Sequence, residues 1–118
     1  MIAYQWHVFH ANFSPTTGHE QAGERPVLVL SSEPLAERYE VVMVAPVTSR
    51  KGGRPARLGE VLLPAGTAGL KQDSFALCYQ VRALDKSRLG RVYGELADPR
   101  LQRQLRDALA DCFDIDAS

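Results

Sequence analysis

Short apolar runs broken by glycine and proline, with a helical period only at the end of the chain, limit the possible folds more than any other feature. Trp6 to Phe13 alternates bulky and polar residues, and Pro26 to Leu30 is a short, continuously apolar run. Glu40 to Val47 carries the β-branched core Val41-Val42-Met43-Val44. Ser74 to Val81 follows the turn-prone stretch Gly69-Leu70-Lys71-Gln72-Asp73. Period-two alternation and β-branched content at these lengths predict strands. Glu60 to Leu63 and Arg91 to Leu96 are shorter candidates of the same kind. With no helix expected between them, the strands predict a mainly β fold, a small antiparallel barrel rather than alternating strand–helix units.

The C-terminus reads differently. Asp98 can cap a helix and Pro99 suits its first turn. Leu101, Leu105, Ala108, Leu109, Cys112 and Phe113 then recur at helical spacing and form one apolar stripe expected to pack on the barrel. Arg100, Arg103 and Arg106 read as a solvated face.

The chain has 118 residues, 45% of them hydrophobic, and shows no repeat or linker. One domain spanning residues 1–118 is expected, with a core that needs neither disulfide nor metal. Cys78 and Cys112 have no neighbouring ligands at zinc spacing and are expected as buried, unreactive thiols. No apolar run approaches the ~18 residues of a membrane span, and no signal peptide opens the chain, so a soluble, cytoplasmic protein is expected.

Formal charges cancel overall, but not locally. From Arg50 to Arg91 there are nine basic residues and three acidic ones, and four of the nine (Arg50, Lys51, Arg54, Arg57) fall in the loop from Arg50 to Arg57, which has no negative charge. Local basic patches, rather than net charge, govern contact with a polyanion. A solvated basic loop is the alternative reading. Asp107, Asp111, Asp114 and Asp116 would repel nucleic acid, which places any phosphate-binding face away from the C-terminal end.

The segment Gly18-His19-Glu20-Gln21-Ala22-Gly23-Glu24-Arg25-Pro26 sets a cation, two carboxylates, an imidazole and an amide on a loop that runs straight into Val27-Leu28-Val29-Leu30. Polar loops anchored on a strand are common carriers of chemistry. Together with Val44-Ala45-Pro46-Val47-Thr48-Ser49-Arg50 and the segment from Gln80 to Leu89, in this order and spacing, it resembles the MazF/PemK family of toxin endoribonucleases over nearly the whole chain.

That resemblance implies an SH3-like barrel of the CcdB/MazF type with a C-terminal helix, assembled as a homodimer. It implies metal-independent and cofactor-free cleavage of single-stranded RNA, and neutralisation by a cognate antitoxin with an acidic tail. Arg25 and Thr48 are the catalytic positions it carries over, with His19, Glu20, Gln21, Ser49 and Gln80 in support. Arg50, Lys51, Arg54, Arg57, Arg82 and Lys86 are the expected RNA contacts. Two departures stand out. Gln5-Trp6-His7 occupies the place of an Arg-Gly-Asp-like stretch, and Leu77 and Tyr79 stand where some relatives carry arginine and aspartate.

Cleavage without a metal uses the ribose 2′-hydroxyl as nucleophile and yields a 2′,3′-cyclic phosphate and a 5′-hydroxyl. A guanidinium fork matches the charge that develops on the phosphorane oxygens. Trp6, Phe13, Tyr39 and Tyr79 are candidate platforms for unstacked bases. The alternatives are a non-catalytic RNA-binding or repressor module on the same barrel and a gyrase-poisoning toxin of the CcdB type. The latter lacks support, because the chain ends Asp114-Ile115-Asp116-Ala117-Ser118 without the tryptophan that type requires.

Overall fold

A computed structural model describes residues 3–13, 18–19 and 23–116. Seven strands form one strongly bent antiparallel sheet: β1 (His7–Asn12), β2 (Glu24–Val29), β3 (Val41–Ser49), β4 (Glu60–Leu63), β5 (Ser74–Leu77), β6 (Arg82–Asp85) and β7 (Leu89–Glu95). Their order is β4-β5-β3-β2-β1-β7, with β6 pairing beside β5 along β3. Among the described residues no ladder joins β4 to β7. The turn Thr67–Gly69 packs on β7 instead, and α2 (Pro99–Phe113) lies against β4 and the turn at Cys78–Gln80.

β3 organises the sheet. Val41 to Val44 pair with β6, Val47 to Ser49 pair with β5, and Val44 to Ala45 and Pro46 pair with β2 on the opposite edge. β3 is therefore paired along both edges, and side chains on both faces of β2 and β3 are buried. Phe9, Ala11, Phe13, Val27, Val29, Val42, Val44 and Leu84 form one buried cluster, which Ala36 helps to cap. Val8, Leu28, Val47, Val61, Leu63, Ala76, Leu96 and Leu105 belong to the other, with Leu101, Ala108 and Leu109 of α2 packed against it. Each leucine, valine or phenylalanine buried in this way stabilises by roughly 1.5–3 kcal/mol.

Two elements escape the strand reading. Glu33–Arg38 forms a short helix, α1, between β2 and β3, where no helix was expected. Its start is encoded locally: the Ser32 hydroxyl accepts the Leu35 N–H and Pro34 occupies the first turn. The run from Ser74 to Val81 is interrupted rather than continuous. Strand β5 stops at Leu77, Cys78–Gln80 turns, and the Tyr79 N–H goes to the Gly59 carbonyl at 3.2 Å before β6 begins.

Helix α2 follows its signals at the start, where the Asp98 carboxylate accepts the Arg100 N–H at 2.9 Å. Its stripe is narrower than expected. Leu105 is buried, whereas Cys112 and Phe113 are exposed, so Cys112 is not a core thiol. Cys78 is buried as expected, and burial pushes its thiol up to about 12. No helix among the described residues is long and apolar enough to cross a membrane.

Trp6 explains how Gln5-Trp6-His7 replaces a glycine-containing stretch. Its φ is +66°, a region a bulky residue rarely enters. The surroundings hold it there. The indole is only 9% exposed, the Trp6 N–H reaches the Val29 carbonyl at 2.9 Å, and the Trp6 carbonyl accepts the Leu96 N–H at 2.7 Å. The Arg106 guanidinium of α2 lies 5.3 Å from the ring centroid.

Candidate functional site

Arg25 and Thr48 emerge from one face of the sheet by strand geometry alone. Side chains alternate along a strand, so Arg25 shares the face of Val27 and Val29, and Thr48 that of Val44 and Pro46. The register Val27↔Pro46 and Val29↔Val44 makes these the same face. Both residues stand just past the last β2–β3 pair, where the two strands part. Arg25 is half-buried opposite Ala11, and burial pulls its guanidinium below the ordinary arginine pKa while leaving it a cation. Arg82 pairs with Val44 on the neighbouring strand and carries its guanidinium 5.0 Å over the buried Phe13 ring, which gives this face a second cation.

A cleft of about 320 Å3 opens beside that point. Pro26, Val47, Thr48 and Ser49 form its β2–β3 wall, and Gly69 to Gln72 and Ser74 form the next. Arg91 and Tyr93 of β7 close it. Thr48 is half-buried and Ser49 exposed, so both hydroxyls are within reach of solvent. Arg25 does not line the cleft itself; its chain neighbour Pro26 does.

The basic loop divides into structural and solvent-facing cations. Arg54 forms a bidentate pair with Glu60 at 2.8 and 3.0 Å and lies 4.2 Å over the Phe75 ring. Glu60 also accepts the Arg57 N–H at 2.8 Å, and the Arg54 hydrogen bond holds its carboxyl below the usual range despite its burial. Arg50 closes the loop through the Arg54 and Gly53 carbonyls, both at 2.7 Å, with Asp73 at 3.5 Å. Lys51 and Arg57 expose their side chains. Lys86 lies apart, with its ammonium 4.9 Å over Tyr4.

His19 is exposed on its turn, whereas Glu20 and Gln21 lie outside the described residues. Gln80 is half-buried and donates to the Tyr79 hydroxyl at 3.2 Å. Of the four aromatics expected as base platforms, Trp6 and Phe13 are core residues, and only Tyr39 and Tyr79 are exposed. The cleft residues Lys71, Arg91 and Tyr93 escaped sequence reasoning. Arg91-Val92-Tyr93, a cation and an aromatic two apart on a strand, was the available signal. Among the described residues no three His, Cys, Asp or Glu side chains converge as a metal-ligand set.

Comparison with known proteins agrees with this geometry. Residues 4–113 match the family described as PemK-like, MazF-like toxin of type II toxin–antitoxin system. The chain is 33% identical to Endoribonuclease EndoA of Bacillus subtilis over 106 residues, covering 87% of this chain and 88% of that one. It is 34% identical over 97 residues to Endoribonuclease MazF6 of Mycobacterium tuberculosis, covering 81% and 84%. Among solved structures, MazF from Deinococcus radiodurans superposes with a TM-score of 0.78 at 32% identity, covering 98% of this chain and 99% of that one. The chain is a member of the PemK-like, MazF-like family of type II toxins.

Proposed function

We propose that this chain is a toxin endoribonuclease that cleaves single-stranded RNA without a metal and is neutralised by an antitoxin. What supports the reading is that Arg25 and Thr48 fall on the same face of the sheet where β2 and β3 part, in a chain whose relatives are named endoribonucleases. Arg25 presents two parallel donors to the non-bridging oxygens as negative charge grows on them, and the Thr48 hydroxyl adds a third. Partial burial strengthens these interactions by excluding water, while Arg25 stays a cation suited to stabilising the developing charge. Ser49 and Gln80 flank the centre, with His19, Glu20 and Gln21 on the preceding loop as candidate proton acceptors.

Lys51 and Arg57 track phosphates at the edge of the groove, Arg82 and Lys86 meet the RNA farther along, and Arg50 and Arg54 hold the basic loop in shape. The same positive surface accepts an acidic antitoxin tail; the MazE–MazF structure from Deinococcus radiodurans superposes with a TM-score of 0.71 at 27% identity. The active unit is a homodimer.

The test is cleavage of a long RNA in EDTA by wild type and Arg25→Ala, with product ends typed chemically and folding checked by thermal melting. Wild type yields 2′,3′-cyclic phosphate ends. Loss of one positioned donor slows cleavage by at least ~10²–10³ in a protein that melts normally. Full activity in a folded Arg25→Ala variant refutes the assignment, and intact RNA with bound wild-type protein favours the non-catalytic module.

A further inference from the structure

We propose that the cleft beside Thr48 seats one unstacked base of the RNA against the guanidinium plane of Arg91, making Arg91 a determinant of which sequence is cut. The inference rests on the endoribonuclease reading above. Arg91 sits over an aromatic support: its guanidinium carbon is 4.6 Å from the Tyr93 ring centroid. Tyr93 is itself packed on the buried cluster of Val8, Leu28 and Val47. Its backbone meets the Thr67–Gly69 turn so closely that a Cβ on Gly69 would lie 2.3 Å from the Tyr93 carbonyl oxygen. The ring beneath the guanidinium is therefore held in place, while Arg91 itself is exposed and open to a ligand.

The rest of the cleft suits a heterocycle. Val47 and Leu70 are buried and apolar, Pro26 adds a flat wall, and the Ser49 hydroxyl and the Lys71 ammonium stand at the rim. A volume of about 320 Å3 lies at the lower end of the range for small-ligand pockets, ~300–1,000 Å3, the scale of a single nucleotide rather than a folded element. Guanidinium planes and aromatics are common stacking surfaces for splayed RNA bases. Thr48 lines this wall and is also one of the two proposed catalytic residues, which links the seated base to the proposed centre.

The experiment uses the full chain and a short RNA carrying its mapped cleavage site, with Arg91→Ala and Arg91→Lys compared by steady-state kinetics. Loss of one stacked base weakens RNA binding on the order of 10-fold, so Arg91→Ala raises KM by about that factor. Arg91→Lys keeps the charge but not the plane, and it leaves most of the defect in place. An abasic nucleotide at one position flanking the cleaved bond reproduces the wild-type loss and adds nothing in Arg91→Ala. Recovery of wild-type KM by Arg91→Lys would reduce Arg91 to a phosphate contact and overturn the proposal. So would an unchanged KM in Arg91→Ala, or a variant that loses affinity for an acidic peptide but not for RNA. If wild type leaves RNA intact, the endoribonuclease reading itself fails, a result distinct from all of these.

Discussion

Gly69 and Gly94 let the Thr67–Gly69 turn and β7 approach more closely than any side chain permits, and substituting them separates two costs that usually arrive together. Gly66 has φ +94° with open space around it, so Gly66→Ala carries only the left-handed backbone penalty, ~1–2 kcal/mol. Gly94 has ordinary φ, but its Cβ would sit 2.8 Å from the Ala68 carbonyl carbon and 2.9 Å from its oxygen. Because those are backbone atoms, Gly94→Ala carries the overpacking cost alone, ~1–3 kcal/mol. Gly69 combines φ +78° with the 2.3 Å approach to the Tyr93 oxygen, so Gly69→Ala should lose about the sum, ~2–5 kcal/mol. For a domain of this size each kcal/mol moves Tm by about 3–6 °C. Urea titration and thermal circular dichroism of the three variants provide the assay. Gly66→Ala should fall by roughly 5 °C and Gly69→Ala by roughly 10–20 °C, with Gly94→Ala between them. A Gly69→Ala protein no less stable than Gly66→Ala would show that the turn yields freely, and the rigid support argued for Arg91 would go with it.

Three further outcomes are expected. Trp6→Gly relieves a positive-φ strain of ~1–2 kcal/mol but forfeits an aromatic core contact worth ~3–5 kcal/mol, so chemical denaturation should show net destabilisation; a more stable variant would mean the strain outweighs the packing. Glu60 is held below the usual carboxylate pKa, so its stabilisation is present above that range and lost as pH falls through the depressed value. Glu60→Gln should therefore trail wild type in Tm most at neutral pH, with the gap narrowing as pH falls below the ordinary carboxylate range; a constant gap would refute the linkage. At pH 7.5 a maleimide should modify Cys112 alone in the folded protein and reach Cys78 only after unfolding, as read by intact mass; native labelling of Cys78 would contradict its burial.

The strands that alternate or carry β-branched runs were legible because burial repeats along them: Glu60 to Leu63 matches β4, and β1, β3 and β7 differ from their expected bounds by one or two residues. Helix α1 was missed although Ser32 and Pro34 mark its start, because six residues are too few to display a period. β6 (Arg82–Asp85) begins just past the expected Ser74–Val81 strand and was missed, because the break at Cys78–Gln80 that separates it from β5 depends on a distant partner, the Gly59 carbonyl. Cys112 and Phe113 continued the stripe of α2 in sequence, but α2 contacts the sheet chiefly around Leu105 and its last turn extends beyond that support. The site divides along the same line. Arg25 and Thr48, the proposed catalytic pair, were picked out by motif alone, whereas the cleft takes residues from β2, β3, β5 and β7 and so depends on tertiary structure.

Two prolines connect the fold to the site. A proline inside a sheet has no N–H for the ladder, which confines it to places where pairing ends or shifts. Pro46 is the last β3 residue paired with β2, and Pro26 is the first β2 residue without a recorded partner on β3. Beyond them β3 continues as Val47 to Ser49 on β5, while β2 stays with β1 through Pro26, Arg25 and Glu24. The two strands are pulled toward different neighbours where neither proline can hold them together with an N–H. Their separation brings Pro26, Val47 and Thr48 to the wall of a cleft instead of into a continuous ladder. A central strand pair that stayed zipped would bury Thr48 between neighbours and leave Arg25 to decorate a closed surface. The prolines open the sheet only after Val27 and Val29 have been packed, so the groove forms at the margin of the core and leaves the core intact.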